Sequence, residues 1–380
     1  MEIKNLKKTA NRILKAIKNK ERIILYGDAD IDGAASVIIL KESIESLGGN
    51  ITSVCFSNRE NEGYGISKIG LEHLKKFTPA LLITLDCGIG NFQEIDLANQ
   101  LGFEVLIIDH HQVLSKVPNA SIIVDPKQKG DKYPFKELAA TGIVFKLSEL
   151  LLKDKITKAL KENFLELTAL ATIADMMPQE QENKVFIEQG LKTIENSRRL
   201  ALRTSFQMEL FKNLDYLNQK VAKLISILNI RDLKNGMPAS FRLLNSSSEE
   251  ESQEIILELL KKNEFKKEKI EKIIDEIEWE ILGNKEPIIF IGSDQWEFGF
   301  ISLLASIICN KYKKPTFIFK KEEKESQGAV RTPSEVNSVS LMERCSEYLL
   351  TFGGHPKASG FRIKNEDLDK FKKCLIENLK

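Results

Sequence analysis

A chain of 380 residues has room for two or three domains, and 42% hydrophobic with 29% charged content fits a folded globular protein, excluding one dominated by disorder. Lys and Arg number 56 against 55 Asp and Glu, so bulk charge announces no polyanionic partner and leaves recognition to local grooves. No run approaches the roughly 18 apolar residues that cross a bilayer, and the opening MEIKNLKKTANRILKAIKNK is charged and amphipathic, which predicts a cytoplasmic protein with no membrane partner. Five cysteines, Cys55, Cys87, Cys309, Cys345 and Cys374, are odd in number, scattered and free of C-x-x-C spacing. That pattern argues against a disulfide framework or zinc knuckle and predicts reduced thiols.

From 22 to 124 short apolar runs repeat: RIILY, ITSVCF, ALLITL, EVLII and SIIV, with helical spacing between them at 34–47 and 92–101. Such alternation predicts a parallel α/β sheet. Ligands of these sheets bind at the carboxyl ends of the strands, and there the acids fall. Asp28, Asp30 and Asp32 follow RIILYG, Asp86 follows LLITL, and Asp109 with His110 and His111 follows VLII.

Residues 140–195 read as mainly helical, with Asp175 ending the apolar run LTALATIAD just before Pro178. A buried-looking acid there needs a partner for its charge. From 196 to 283 the texture turns polar. SSSEEES offers a capping box, Ser248 with Glu251, ahead of Ile255, Leu259, Ile270, Ile273, Ile274, Ile277 and Ile281 at helical spacing, which predicts a long connector helix stopping at Gly283 and Asn284. A second, smaller α/β unit begins near 285: strand PIIFIG, helix GFISLLASIICNKY, strand PTFIFK, helix EVNSVSLMERCSEYLL, the turn-rich FGGHPKASGF, and a last strand and helix. Two α/β lobes joined by a helical arm imply a cleft between them.

Three carboxylates on alternating positions repel one another unless something positive sits among them. Asp28, Asp30, Asp32, Asp86, Asp109, Asp175, His110 and His111 together suit two divalent cations, Mn²⁺ by preference or Mg²⁺, because calcium sites seldom use histidine and structural zinc favours cysteine. A two-metal centre points to phosphoester or phosphoanhydride hydrolysis. Each piece alone has a bland alternative: a solvated turn, a helix cap, an incidental pair of histidines.

GDADIDG, LITLDCGIG, IIDHH and ATIADMMP resemble the four motifs of the DHH phosphoesterase superfamily, and RENEGYGIS, QGAVR and FGGHPKASGF resemble its RecJ-like branch with a DHHA1 domain. The resemblance runs from about residue 20 to the C-terminus, is weakest between 196 and 284, and in layout is similar to compact archaeal members that lack a further nucleic-acid-binding domain. It implies a parallel-sheet DHH catalytic domain over 1–195, a helical connector over 196–284 and a smaller α/β DHHA1 substrate-binding domain over 285–380, with the active site in the inter-domain cleft.

It also implies roles by position. Asp30 and Asp32 bind different metals, Asp86 and Asp175 bridge or share them, and His110 completes one shell. His111 and Asp109 contact the scissile phosphate or orient the metal ligands from behind, and Asp28 either joins the ligands, the preferred reading, or only supports them. In the second lobe Gly353 and Gly354 admit a phosphate close to the backbone, with His355 as donor and Arg331 as a bidentate grip; Arg59 and the EGYG of 62–65 shape the cleft mouth. Tyr64 either stacks on a base or packs in its loop, His73 reads as helix surface, and Trp296 reads as lobe packing.

The implied activity is a metal-dependent exonuclease on single-stranded DNA or RNA in repair or replication. Two alternatives stay open: a phosphodiesterase of short oligonucleotides or cyclic dinucleotides, and a replication-complex component of the Cdc45 type. The archaeal likeness adds GINS and the replicative helicase as candidate partners.

Overall fold

Residues 2–58, 62–113 and 116–379 are described by the structure, a computed structural model. Helix α1 (Leu6–Lys18) precedes strand β1 (Ile23–Gly27), and α2 (Ile31–Ser46), β2 (Ile51–Phe56), α3 (Lys68–Leu74), β3 (Ala80–Leu85), α4 (Phe92–Gln100), β4 (Phe103–Ile108) and β5 (Ile122–Val124) follow. All five predicted strands form, and they pair in parallel in the order β2-β1-β3-β4-β5. Their near-continuous apolar sequence follows from burial on both faces. Ile23 and Leu25 enter one apolar cluster while Ile24 and Tyr26 enter the other, as the two-residue period of a strand requires.

The register has a consequence for chemistry. Gly27 pairs with Leu85, Leu85 with Ile108, and Ile108 with Val124, so the next residues, Asp28, Asp86, Asp109 and Asp125, stand abreast at the carboxyl ends of four adjacent strands. Backbone bonds carry the ladder one step past the strands: Asp28 N to Leu85 O at 3.2 Å, Asp86 N to Ile108 O at 3.0 Å, and Asp109 N to Val124 O at 3.0 Å.

Helices α5 (Ala140–Leu152), α6 (Lys158–Ala174) and α7 (Gln181–Leu191) cover one face. The polar stretch beyond folds as α8 (Leu200–Gln207), α9 (Glu209–Lys212), α10 (Leu217–Leu228), a two-residue ladder of β6 (Leu233–Lys234) and β7 (Met237–Pro238), and α11 (Ala239–Leu244). Leu202, Phe211, Leu224 and Leu243 are buried in the same cluster as Leu25. The described residues divide into two units, 1–261 and 262–380, and helix α12 (Glu249–Ile281) runs across that division. Its start departs from the predicted capping box. Ser248 Oγ accepts from Glu251 N at 3.1 Å, but the Glu251 carboxylate accepts from Ser247 N and Oγ, one residue earlier, at 2.7 and 2.8 Å.

The second unit holds β8 (Ile289–Ser293), α13 (Phe298–Tyr312), β9 (Thr316–Lys321), β10 (Glu325–Arg331), α14 (Ser338–Glu343), β11 (Leu349–His355), β12 (Ala358–Lys364) and α15 (Leu368–Glu377). The sheet order is β11-β12-β10-β9-β8, with only β8 and β9 parallel. Trp296 is buried in its core, as expected.

Three expectations are corrected here. The helix foreseen at 335–350 is confined to Ser338–Glu343, because Leu349 and Leu350 join the sheet edge beside β12. The turn foreseen in FGGHPKASGF shrinks to Pro356 and Lys357, and its glycines are strand residues, Gly353 opposite Gly360. Cys345 and Cys374 form a disulfide, their Cα atoms 5.9 Å apart. Sequence spacing of 29 hid a pair that the docking of α15 brings within bonding reach.

Candidate metal centre

Each acid on the rim is placed by a local backbone reason. Asp30 is the N-cap of α2, its Oδ1 accepting from Gly33 N at 3.0 Å. Asp32 lies two residues on, in the first turn of α2, and serves a different helix. Its two oxygens accept from Ala140 N at 2.7 Å and Thr141 N at 2.8 Å, the open N–H groups at the start of α5, and the Thr141 hydroxyl also donates to it. Ala139 at the head of α5 has no side chain to cap with, so Asp32 supplies the anion that the helix N-terminus favours. Asp28 accepts from Ser57 Oγ at 2.6 Å. Asp86 sits at φ +60°, a strained conformation for a non-glycine, held by its N–H on Ile108 and by the Tyr64 hydroxyl donating to its carbonyl at 2.9 Å. Asp175 ends α6.

Three donor groups converge, each with ligand atoms within 4.8 Å of one another: Asp28, Asp30 and Asp86; Asp86, His110 and His111; Asp32, His110 and Asp175. Asp86 and His110 each belong to two of them, and Asp30 and Asp32 fall in different ones. His110 Nε2 lies 3.2 Å from Asp86 Oδ1, 3.5 Å from Asp175 Oδ2 and 3.7 Å from Asp32 Oδ2. Yet among the described residues Asp86 Oδ1 and both ring nitrogens of His110 are buried without a hydrogen-bond partner. Of these, Asp86 Oδ1 and His110 Nε2 converge 3.2 Å apart, and buried polar atoms that converge and satisfy nothing there are what a hard or borderline cation requires. The donor set therefore fits divalent metal.

Asp109 works differently. Its Oδ1 accepts from the backbone N–H of His110 at 2.8 Å and of His111 at 3.2 Å and from His111 Nδ1 at 2.8 Å, and its Oδ2 accepts from Ile89 N at 3.0 Å. It belongs to none of the three donor groups and orients the imidazole from behind. Tyr64 Oη is 3.0 Å from the same His111 nitrogen, with the two rings edge to face.

Charge follows this geometry. Burial, then the charges of Asp32 and Asp30, push the Asp86 carboxyl well above the usual range; burial, then the same two neighbours, push Asp175 up to about 7. Burial likewise raises Asp30. For Asp109 burial acts upward but is overcome by His111, which holds it low. Burial lowers His110, whereas for His111 the Asp109 hydrogen bond and charge outweigh burial and raise it.

Sequence reasoning missed Ser57, Thr141 and Asp125. Nothing marked Ser57 or Thr141. Asp125 was legible, because it follows SIIV as the other rim aspartates follow their strands. It is fully buried, Oδ1 accepts from Lys127 N at 2.7 Å, and burial, opposed by that N–H and aided by the Asp109 charge, pushes it up to about 7.

In the second unit Arg331, Gly353 and Gly354 line one cavity of about 520 Å³, with Gln327, Gly360 and Arg362. His355 is exposed at the end of β11, outside that lining; it pairs with Ala358, as Arg331 does from the other side. Arg59 lies outside the described residues. His73 is exposed on α3. Among the described residues no helix is long and apolar enough to cross a membrane.

Comparison with known proteins agrees with this arrangement. Residues 22–172 match the DHH family N-terminal domain and residues 285–380 match the DHHA1 domain. The chain belongs to the DHH/DHHA1 family. Among its relatives, the single-stranded-DNA-specific exonuclease RecJ of Bacillus subtilis strain 168 is 32% identical over 383 residues, covering 99% of this chain and 48% of that protein. The RecJ of Haemophilus influenzae is 27% identical over 97% of this chain and 68% of its own length. The chain thus spans about half the length of the first relative and about two thirds of the second. A crystal structure of exonuclease RecJ bound to manganese superposes with TM-score 0.80 at 24% identity, over 99% of this chain and 94% of that one, and shares the DHH/DHHA1 fold.

Proposed function

We propose that this chain is a metal-dependent exonuclease that hydrolyses phosphodiester bonds at an end of single-stranded DNA or RNA, acting in the cytoplasm in repair or replication. The observation that carries it is the convergence of three donor groups joined by Asp86 and His110. The naming of the B. subtilis relative as a single-stranded-DNA-specific exonuclease supports the substrate class.

Residues 1–195 form the catalytic domain, 196–284 the connector and 285–380 the substrate-binding domain. Asp28, Asp30 and Asp86 would hold one cation and Asp32, His110 and Asp175 the other. When bound, the two cations, Mn²⁺ by preference and Mg²⁺ as substitute, neutralise phosphoryl charge and acidify a water. Asp109 accepts the Nδ1–H of His111 and favours the protonated ring, so that the Nε2–H can donate to a phosphate oxygen. Arg331, with His355, Arg59 and the bare backbone of Gly353 and Gly354, grips neighbouring phosphates and holds the strand in register.

Digestion of end-labelled DNA and RNA strands of graded length, with each divalent metal in turn, tests this. Mn²⁺-dependent shortening of long single strands from one end is the expected result. Turnover restricted to two- to five-nucleotide substrates or cyclic dinucleotides would transfer the chain to small-substrate hydrolysis. Association with GINS and the replicative helicase is an added role of the same protein, read by co-purification from cell extract.

A further inference from the structure

Asp125 is the fourth member of the in-register aspartate row and the one whose purpose the metal clusters leave open. It is fully buried. One of its oxygens, Oδ1, closes a turn by accepting from Lys127 N at 2.7 Å, and Gln128 N bonds to its carbonyl at 3.1 Å. Its other oxygen, Oδ2, is buried with no hydrogen-bond partner among the described residues. Capping a turn takes a single acceptor, so a second, buried and unmatched, is a cost that a turn alone leaves unexplained.

A matching need exists nearby. An imidazole that offers Nε2 to a cation carries its proton on Nδ1, and that N–H is ordinarily held by a carboxylate, a carbonyl or a water. His110 turns Nε2 toward Asp86, Asp175 and Asp32, and its Nδ1 is buried without a partner among the described residues. The neighbouring acids are committed. Asp109 gives both oxygens to three backbone N–H groups and to His111, Asp32 gives both to the head of α5, and Asp86 lies on the Nε2 side. Asp125, next to Asp109 across the β4–β5 ladder, has an oxygen to spare.

Resting on the metal-dependent activity proposed above, we propose that Asp125 is a positioning residue of the metal centre: its second oxygen holds the Nδ1–H of His110, directly or across one buried water, and so fixes the direction of Nε2. The acid touches neither cation nor substrate. Its effect is read in how tightly the centre holds metal.

Two substitutions separate this from turn capping. Asp125→Ser keeps a short hydroxyl acceptor for Lys127 N but is too short to reach His110; Asp125→Asn keeps the reach and the turn oxygen but turns an NH₂ donor instead of an acceptor toward the His110 Nδ1–H. Mn²⁺ titration, followed by the paramagnetic resonance of the free ion, is compared with thermal unfolding in EDTA. Asp125→Ser and Asp125→Asn are both expected to bind Mn²⁺ roughly tenfold to a hundredfold more weakly than the native chain at a similar metal-free melting temperature. Native-like Mn²⁺ affinity in Asp125→Ser overturns the proposal. If Asp125→Ser does not fold, the native protein decides by nitrogen-edited NMR with Mg²⁺ bound: a slowly exchanging His110 Nδ1–H supports the assignment, and its absence overturns it. A native chain that binds no Mn²⁺ refutes the metal centre itself, an outcome distinct from failure of the Asp125 assignment alone.

Discussion

In the first unit the functional groups are buried aspartates and a histidine hung on strand ends, whereas in the second they are a partly buried arginine, an exposed histidine and bare glycine backbone along a hairpin. Buried charge is expensive, and Asp28, Asp30, Asp32 and Asp109 are each fixed by a hydroxyl, a backbone N–H, a helix terminus or a neighbouring ring. The second sheet meets solvent at its edge, where shape and a cation would suffice to hold phosphate. The function proposed above assigns chemistry to the rim and grip to the hairpin.

The largest effect that tests this division comes from Asp86→Ala. Because Asp86 joins two donor groups, its loss is expected to lower kcat on the order of 10³-fold, the upper end of what removing one preorganised electrostatic partner costs, with strand binding retained. His110→Ala should behave alike. Full activity in either variant would remove the metal centre from the mechanism.

Gly33→Ala attacks the same rim through the backbone. A Cβ at Gly33 would stand 2.3 Å from Asp28 O and 2.7 Å from Asp28 N, so the β1–α2 connection must shift and carry Asp28, Asp30 and Asp32 with it. Destabilisation of about 3 kcal/mol in chemical denaturation, together with loss of Mn²⁺ binding, is expected.

Arg331→Ala should show the opposite signature to Asp86→Ala. A charge-assisted phosphate contact contributes about 1.5–3 kcal/mol, so KM for single strands is expected to rise roughly tenfold or more with kcat little changed. A fall in kcat of the Asp86→Ala size would erase the distinction between rim and hairpin.

Metal removal gives the next effect, and its sign follows from the raised carboxyls. Asp30, Asp86 and Asp175 hold protons in the folded state above the usual carboxylate range, the last up to about 7. Between about pH 4 and 7 the unfolded chain releases those protons first, so metal-free stability falls as pH rises through that window. His110 and His111 shift in opposite directions and offset one another. Asp109, held low, acts only at more acid pH. The melting temperature in EDTA is expected to drop by a few degrees from pH 5 to 8, and the gain on adding Mn²⁺ to grow over the same range. A metal-induced gain that is flat with pH would show that the carboxyls are not mutually repelling.

What was legible in the sequence divides along the same line. The five strands of the first sheet announced themselves because burial on both faces leaves unbroken apolar runs, and the acids were conspicuous because they interrupt those runs at strand ends. Asp125 obeyed the same rule and was passed over because it lies outside the four motifs that the resemblance picks out. The hairpin of the second unit was misread as a turn because Gly, His, Pro and Ser carry turn propensity, and only pairing with β12 makes Gly353 and Gly354 strand residues. The disulfide was invisible because its cysteines meet through tertiary docking of α15.

The smallest effect probes whether those glycines matter as backbone. A Cβ built on Gly353 meets nothing within 4 Å, whereas one on Gly354, at φ +134°, would meet Ala358 O and Ser359 Cα at 2.6 Å. Gly354→Ala would therefore disturb the hairpin itself, and Gly353→Ala is the clean experiment. Its stability should stay within about 0.5 kcal/mol of the native chain. If a phosphate approaches the backbone at that point, the added methyl stands in its path, and KM for single strands should rise about threefold while Mn²⁺ affinity is unchanged. An unaltered KM would move the grip from the glycine backbone to the arginine side of the cavity, Arg331 and Arg362.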